Sequence, residues 1–224
     1  MQSYLEHVKR IFLEHGDPDI SEGQMKYMRH QFAFYGLKAP VWMALAKEIF
    51  QTKGIPQGEE LKTLVRLCFE EEYRELHYFA TEMTQRALKK QAENFIDFLE
   101  ELITSKSWWD TVDWQAKLAG EHFLRYPQLI GPITERWMQS GNFWLQRCAL
   151  IFQLRYKTRT DAELMFGYVL RLADSKEFFI QKGAGWALRE YSKTNPEAVR
   201  SFVESHSLAP LTRREALKWL QNKS

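Results

Sequence analysis

Three pairs of adjacent aromatic residues, Trp108-Trp109, Phe143-Trp144 and Phe178-Phe179, recur 35 residues apart. Each pair opens a helix-like segment. A period in this range marks stacked helical pairs of HEAT type, because one such unit cannot bury its apolar face alone and closes its core only against its neighbours. The expected fold is all-α: a curved solenoid of HEAT-like antiparallel helix pairs with a concave face. Chance similarity among amphipathic helices is the competing explanation. The rest of the chain favours helices too. No stretch alternates apolar and polar residues with Val, Ile or Thr enrichment, as a half-buried strand would. Candidate capping boxes pair Ser21 with Gln24, Ser107 with Asp110, Thr160 with Glu163 and Thr212 with Glu215. Asn195 before Pro196 is a further helix start. No linker long enough to separate two domains appears, so residues 1–224 are read as a single HEAT-like repeat domain of roughly a dozen helices.

Composition removes other classes. With 45% hydrophobic and 27% charged residues, the chain is neither a disordered tail nor a fibre. Its apolar runs are far shorter than the ~20 residues of a membrane helix, so no membrane partner is expected. Its first residues, MQSYLEHVKRIFLEHG, lack a basic-then-apolar signal layout. They read as an amphipathic helix with Leu5, Val8, Ile11 and Phe12 on one face. Two cysteines, Cys68 and Cys148, lie inside helix-like segments, which fits core positions in a reduced, cytoplasmic chain. The net charge of +2 hides an asymmetry. Residues 1–140 hold 17 Lys+Arg against 21 Asp+Glu, and residues 141–224 hold 14 against 8. A basic C-terminal half is compatible with a polyanionic partner.

Helical-wheel positions separate core residues from surplus ones. In the helix expected from about Ser175 to Lys193, Ile180, Ala184, Ala187, Leu188 and Tyr191 share one face. Lys182, Trp186, Arg189 and Lys193 share the opposite face. An indole among cations suits nucleic acid, offering charge for phosphates and a π-face for sugars or bases. Packing of Trp186 on another repeat is the alternative. Gly183 and Gly185 in this helix each cost roughly 1 kcal/mol relative to Ala; close helix packing and close approach of a ligand both explain them. In the helix opening at Ser107, Trp108, Val112, Ala116, Ala119 and Phe123 form the core stripe. Trp109 and Asp113 lie one turn apart on another strip. The helix dipole is expected to favour ionised Asp113. Arg147 sits in a segment apolar nearly all round and therefore needs a partner, either Asp113 or a phosphate. Arg155, Lys157 and Arg159 come after it as a basic end. Six histidines show no paired-ligand spacing, so neither a metal nor another cofactor is expected. Phosphate-binding and nucleophile-elbow motifs are absent.

The segments SWWDTVD at 107–113, NFWLQR at 142–147, SKEFFIQK with GWALREYSKTNP within 175–196, and LAPLTRREALKW near the C-terminus resemble the AlkD family of DNA alkylpurine glycosylases. The similarity runs over nearly the whole chain and is densest from Thr104 to Leu217. The resemblance implies a fold that holds double-stranded DNA on the concave face of its repeats. It implies an activity as well: removal of positively charged N3- and N7-alkylated purines, such as 3-methyladenine and 7-methylguanine, without flipping the base. By the same resemblance, Asp113 would be the catalytic carboxylate, with Trp109 and Trp186 lining the lesion's sugar and backbone. Arg147 would support the catalytic strip and the DNA backbone. Lys157, Lys182 and Arg189 would contact phosphates, and Tyr27 would be an N-terminal DNA contact. The enzyme would be a monofunctional monomer in the cytoplasm, associated with the nucleoid when bound to DNA, with water as nucleophile and no lyase lysine. Lys38-Ala39-Pro40-Val41-Trp42-Met43 is more apolar than the family's polar run, and Trp114 beside Asp113 also departs from its pattern. Two other readings remain open: a non-catalytic HEAT-like scaffold, and a DNA-binding relative that recognises distorted DNA without excision.

Overall fold

A computed structural model describes residues 1–221. The all-α expectation holds: the described residues form thirteen α-helices and no strand beyond one isolated bridge between Ala33 and Tyr73. No helix among them is long and apolar enough to cross a membrane. Contacts divide the chain into two compact units, Met1–Ala92 and Glu93–Ser224, where the sequence reading has one repeat domain.

The first unit contains α1 (Gln2–Glu14), α2 (Pro18–Tyr27), α3 (Ala39–Lys53), α4 (Gly58–Glu70) and α5 (Arg74–Ala87). Leu5, Val8 and Phe12 of α1 are buried as their spacing predicts, while Ile11 keeps partial exposure. Phe79 of α5 gathers Phe12 edge-on at 6.0 Å and Phe50 stacked at 4.9 Å. The connection between α2 and α3 has few helical bonds of its own. Its amides at Tyr35, Gly36 and Leu37 donate instead to the buried Glu75 carboxylate at 3.0–3.1 Å. Gly36 is required there. It adopts φ +89°, and a Cβ would fall 1.9 Å from the Asp17 carbonyl oxygen.

The second unit contains α6 (Phe95–Ile103), α7 (Trp109–Phe123), α8 (Ile130–Gln139), α9 (Phe143–Ile151), α10 (Ala162–Arg171), α11 (Phe178–Ser192), α12 (Pro196–Ser205) and α13 (Pro210–Gln221). The recurring aromatic pairs have a shared physical reason. They start α7, α9 and α11, and their rings interlock across the three helix ends. Trp108 lies 6.0 Å from Trp144 and 5.4 Å from Phe179, and Trp144 lies 4.8 Å from Phe179. One aromatic of each pair thus builds a continuous cluster, worth about 0.5–1.5 kcal/mol per ring pair beyond area burial.

The four capping boxes are not formed. Ser107 gives its hydroxyl to the Ile103 carbonyl at 2.7 Å, and α7 starts from Trp108 with no side-chain cap. Helix α6 ends only four residues earlier, and its unsatisfied carbonyls compete for that hydroxyl. Ser21 lies inside α2, whose cap is Asp17, and donates to Phe34 O at 2.7 Å. Asp161 rather than Thr160 caps α10. Thr212 lies inside α13 and donates to Gln181 O at 3.1 Å. Asn195 does cap α12, accepting from the Ala198 amide at 3.1 Å.

Candidate active site

Helix α7 buries Val112, Ala116, Ala119 and Phe123 completely. The opposite strip is thereby fixed, and Trp109 and Asp113 stand on it, both partly buried. Helix α9 is buried nearly all round, so Arg147 cannot reach bulk water, and its side chain is only 6% exposed. Its guanidinium faces α7. Nε donates to Asp113 Oδ1 at 2.7 Å and a terminal nitrogen donates to Oδ2 at 2.9 Å. The other terminal nitrogen donates to the Phe179 carbonyl in the first turn of α11 at 2.5 Å. One arginine therefore ties α7, α9 and α11 together at the position of Asp113. This fork fixes both position and orientation of the carboxylate.

The glycines of α11 explain how the helices approach so closely. A Cβ on Gly183 would stand 3.1 Å from Arg147 Nη1, and one on Gly185 would stand 2.5 Å from Glu215 Cβ. Helix packing thus accounts for both residues, and ligand approach is not needed to explain them. Gly183 leaves room for the guanidinium; Gly185 lets α13 lie against α11.

The electrostatics of Asp113 reverse the dipole expectation. Burial pushes its carboxyl above the usual range, and the hydrogen bonds and charge of Arg147 oppose this without overcoming it. Both oxygens accept N–H bonds, which is the geometry of the ionised form. The side chain is 18% exposed and opens into a cavity of about 270 Å³. Trp186 of α11 lines the same cavity, with Lys117, Glu121, Arg155, Glu190 and an apolar wall that includes Ile151, Phe152, Leu154 and Tyr156. A negative charge, an indole and a partly apolar wall suit a cationic or polarised sugar-like group.

The remaining expected site residues scatter around this cavity and beyond it. Trp109 stands one turn before Asp113, outside the lining of the cavity. Lys157 is exposed in a short 3-10 turn with φ +53° and borders a neighbouring cavity of about 190 Å³. That cavity shares Leu154 and Glu190 with the first. Lys182 and Arg189 do flank Trp186 on α11, but both reach Glu215 of α13, at 2.9 and 2.6 Å. Tyr27 ends α2 in the first unit and is 72% exposed. Sequence reasoning missed Lys117, Glu121 and Glu190 as cavity residues. Their signal was spacing: Asp113, Lys117 and Glu121 succeed one another at four-residue steps, as do Trp186 and Glu190.

A family model described as DNA alkylation repair enzyme matches residues 8–220. Among solved structures, a predicted DNA alkylation repair enzyme from Enterococcus faecalis shares 32% identity and a TM-score of 0.86, over 92% of this chain and 96% of that one. AlkD2 from Streptococcus mutans shares 18% identity and a TM-score of 0.61, over 80% and 87% of the two chains. The structure of smu.31 from Streptococcus mutans UA159 gives the same identity and score, over 80% and 96%. The two streptococcal structures show the fold. No curated protein matches the chain. A match over nearly the full length, joined to a relative of that identity and coverage, makes this chain a member of the DNA alkylation repair enzyme family.

Proposed function

We propose that the chain is a DNA glycosylase hydrolysing the N-glycosidic bond of positively charged N3- and N7-alkylated purines in duplex DNA, without base flipping. The observation that carries this reading is the Asp113 carboxylate, held by Arg147 and opening into the cavity lined by Trp186. An alkylated purine already bears positive charge, so it leaves without a general acid. What needs stabilising is the cationic sugar formed as the C1′–N bond breaks. A fixed carboxylate stabilises that charge more in the transition state than in the ground state, and it orients the attacking water. Trp186, and Trp109 from the strip beside Asp113, add indole faces against cationic groups, about 0.5–2 kcal/mol each. Arg147 keeps the carboxylate in place with no reorganisation during reaction.

Duplex DNA is the partner this reading requires, bound by a monomer. Lys157 and Tyr27 are proposed as exposed backbone contacts. Lys182 and Arg189 retain a role towards phosphates alongside their ion pairs with Glu215, which offsets part of their charge. The test is incubation with methylated duplex DNA, followed by chromatography of freed bases. Release of 7-methylguanine and 3-methyladenine is expected. Salt-sensitive binding with no release would instead support a DNA-binding relative, and neither binding nor release would support a scaffold.

A further inference from the structure

The first unit carries a basic turn that the Asp113 site does not explain. Residues 23–47 contain Lys26, Arg29, Lys38 and Lys47 and no acidic residue. The comparable acid-free stretch of the second unit, residues 136–160, includes Arg147, the arginine that holds Asp113. Lys26, Arg29, His30 and Lys38 are exposed, and none of these four side chains has a hydrogen-bond or ion-pair partner among the described residues.

The centre of this patch is the turn that ends α2. Arg29 and His30 adopt φ +55° and +56°. Stopping a helix takes one left-handed residue, usually glycine. Two in succession, each with a Cβ, are strained. The backbone there is locked. The Met28 amide donates to Gln24 O at 3.0 Å, the Arg29 amide to Lys26 O at 3.1 Å and the His30 amide to Met25 O at 2.8 Å. Met28 is buried, and Gln24 Nε2 donates to Leu37 O at 3.0 Å, just before Lys38. Strain that fixes two exposed polar side chains serves a partner rather than the fold.

We propose that Lys26–His30, with Lys38, forms a second DNA-binding site, at which Arg29 and His30 donate to phosphate oxygens of the duplex backbone. Duplex DNA as the partner rests on the glycosylase reading. Arg29 supplies a planar fork of N–H groups and His30 a ring N–H. The locked backbone lowers the ordering cost of binding. Phosphate contacts carry no information about the base, so this site sets affinity for DNA and leaves the choice of lesion to the cavity beside Asp113.

The test measures the affinity of the full chain for an undamaged labelled duplex over a salt series. Glycine accepts positive φ, so the double variant Arg29→Gly, His30→Gly should melt at or above the native temperature. It should bind about tenfold more weakly at low salt, and its salt slope should shrink by about 1–2. Arg29→Gln, which keeps the Cβ and removes the charge, should weaken binding about threefold or more at the native melting temperature. Arg10→Gln, which removes an exposed charge of α1, should bind as the native chain does. On methylated duplex, excision by the double variant at saturating protein should keep the native rate, while the half-saturating concentration rises with Kd. Undiminished affinity and slope in the double variant would overturn the proposal. An equal loss in Arg10→Gln would do so too, by reducing the effect to net charge, as would weaker binding accompanied only by lowered melting temperatures. Because the duplex is undamaged, failure to release alkylated bases leaves this result readable. A native chain that binds no duplex overturns both readings.

Discussion

Two shielded carboxylates in the second unit, Asp113 and Glu215, are both held by basic side chains, yet they do different work. Asp113 takes a two-pronged bond from the buried Arg147 and opens into a cavity. Glu215 is 7% exposed and binds Lys182 and Arg189, two cations that keep contact with solvent. Burial dominates at Asp113 and raises its pKa. At Glu215 the Lys182 hydrogen bond comes first, with burial opposing and Arg189 assisting, and the pKa is lowered. The difference teaches that the same ion-pair chemistry serves two ends. One pair keeps a charge poised beside a cavity, and the other clamps α13 to α11 and steadies the helix that carries Trp186.

Breaking each pair from its basic or acidic side separates these roles. Arg147→Ala has the largest expected effect. It leaves Asp113 buried without its partner, costing about 3–5 kcal/mol of stability. Denaturant unfolding reads that loss, and single-turnover excision should fall about 100-fold or more as the carboxylate loses its alignment. Glu215→Gln should cost less, about 1–2 kcal/mol, since Lys182 and Arg189 can turn to water. Excision per folded molecule should change little. An equal loss of excision in both variants at matched folded fraction would erase the distinction.

Acid titration sharpens the same contrast. Under the proposed mechanism Asp113 acts as the ionised carboxylate, and its folded pKa lies above the ordinary value of 3.8. Excision should therefore fall, as pH drops, at a higher pH than an ordinary carboxylate would show. The stability linkage has the opposite sign. The folded state holds the Asp113 proton more tightly than the unfolded state, so its share of stability falls as pH rises from the ordinary value through the raised one. Glu215 has a folded pKa below its ordinary 4.5. Its share is present above the ordinary value and disappears as pH falls through the depressed one. Excision rate and melting temperature measured over the same pH series should show activity failing first.

Helical character, the buried faces of α7 and α11, and the need of Arg147 for a partner were readable from spacing alone, because a 3.6-residue period directly reports which face is buried. The aromatic pairs were readable as a repeat but not as an interlocking cluster, which depends on how three helix ends meet. Capping was misread wherever a nearby helix end or another helix competed for the same hydroxyl, as at Ser107 and Thr212. Glu215 was assigned to a cap for that reason, and its bonds to α11 come from residues 26 and 33 positions away. The direction of the Asp113 shift was also illegible, since burial outweighs the hydrogen bonds and charge of Arg147 that oppose it, and neither can be weighed from the spacing of one helix.

The central claim is that the Asp113 charge drives release of cationic purines. Its most direct measurement is single-turnover release of 7-methylguanine from methylated duplex DNA by the native chain and by Asp113→Asn. DNA affinity and melting temperature should be recorded on the same samples, because Asn leaves the Arg147 charge uncompensated. Efficient release by the native chain is expected. The variant should be slower by about 100- to 1000-fold while still folded, with affinity within about a few-fold of native. Release by folded Asp113→Asn at the native rate would contradict the account.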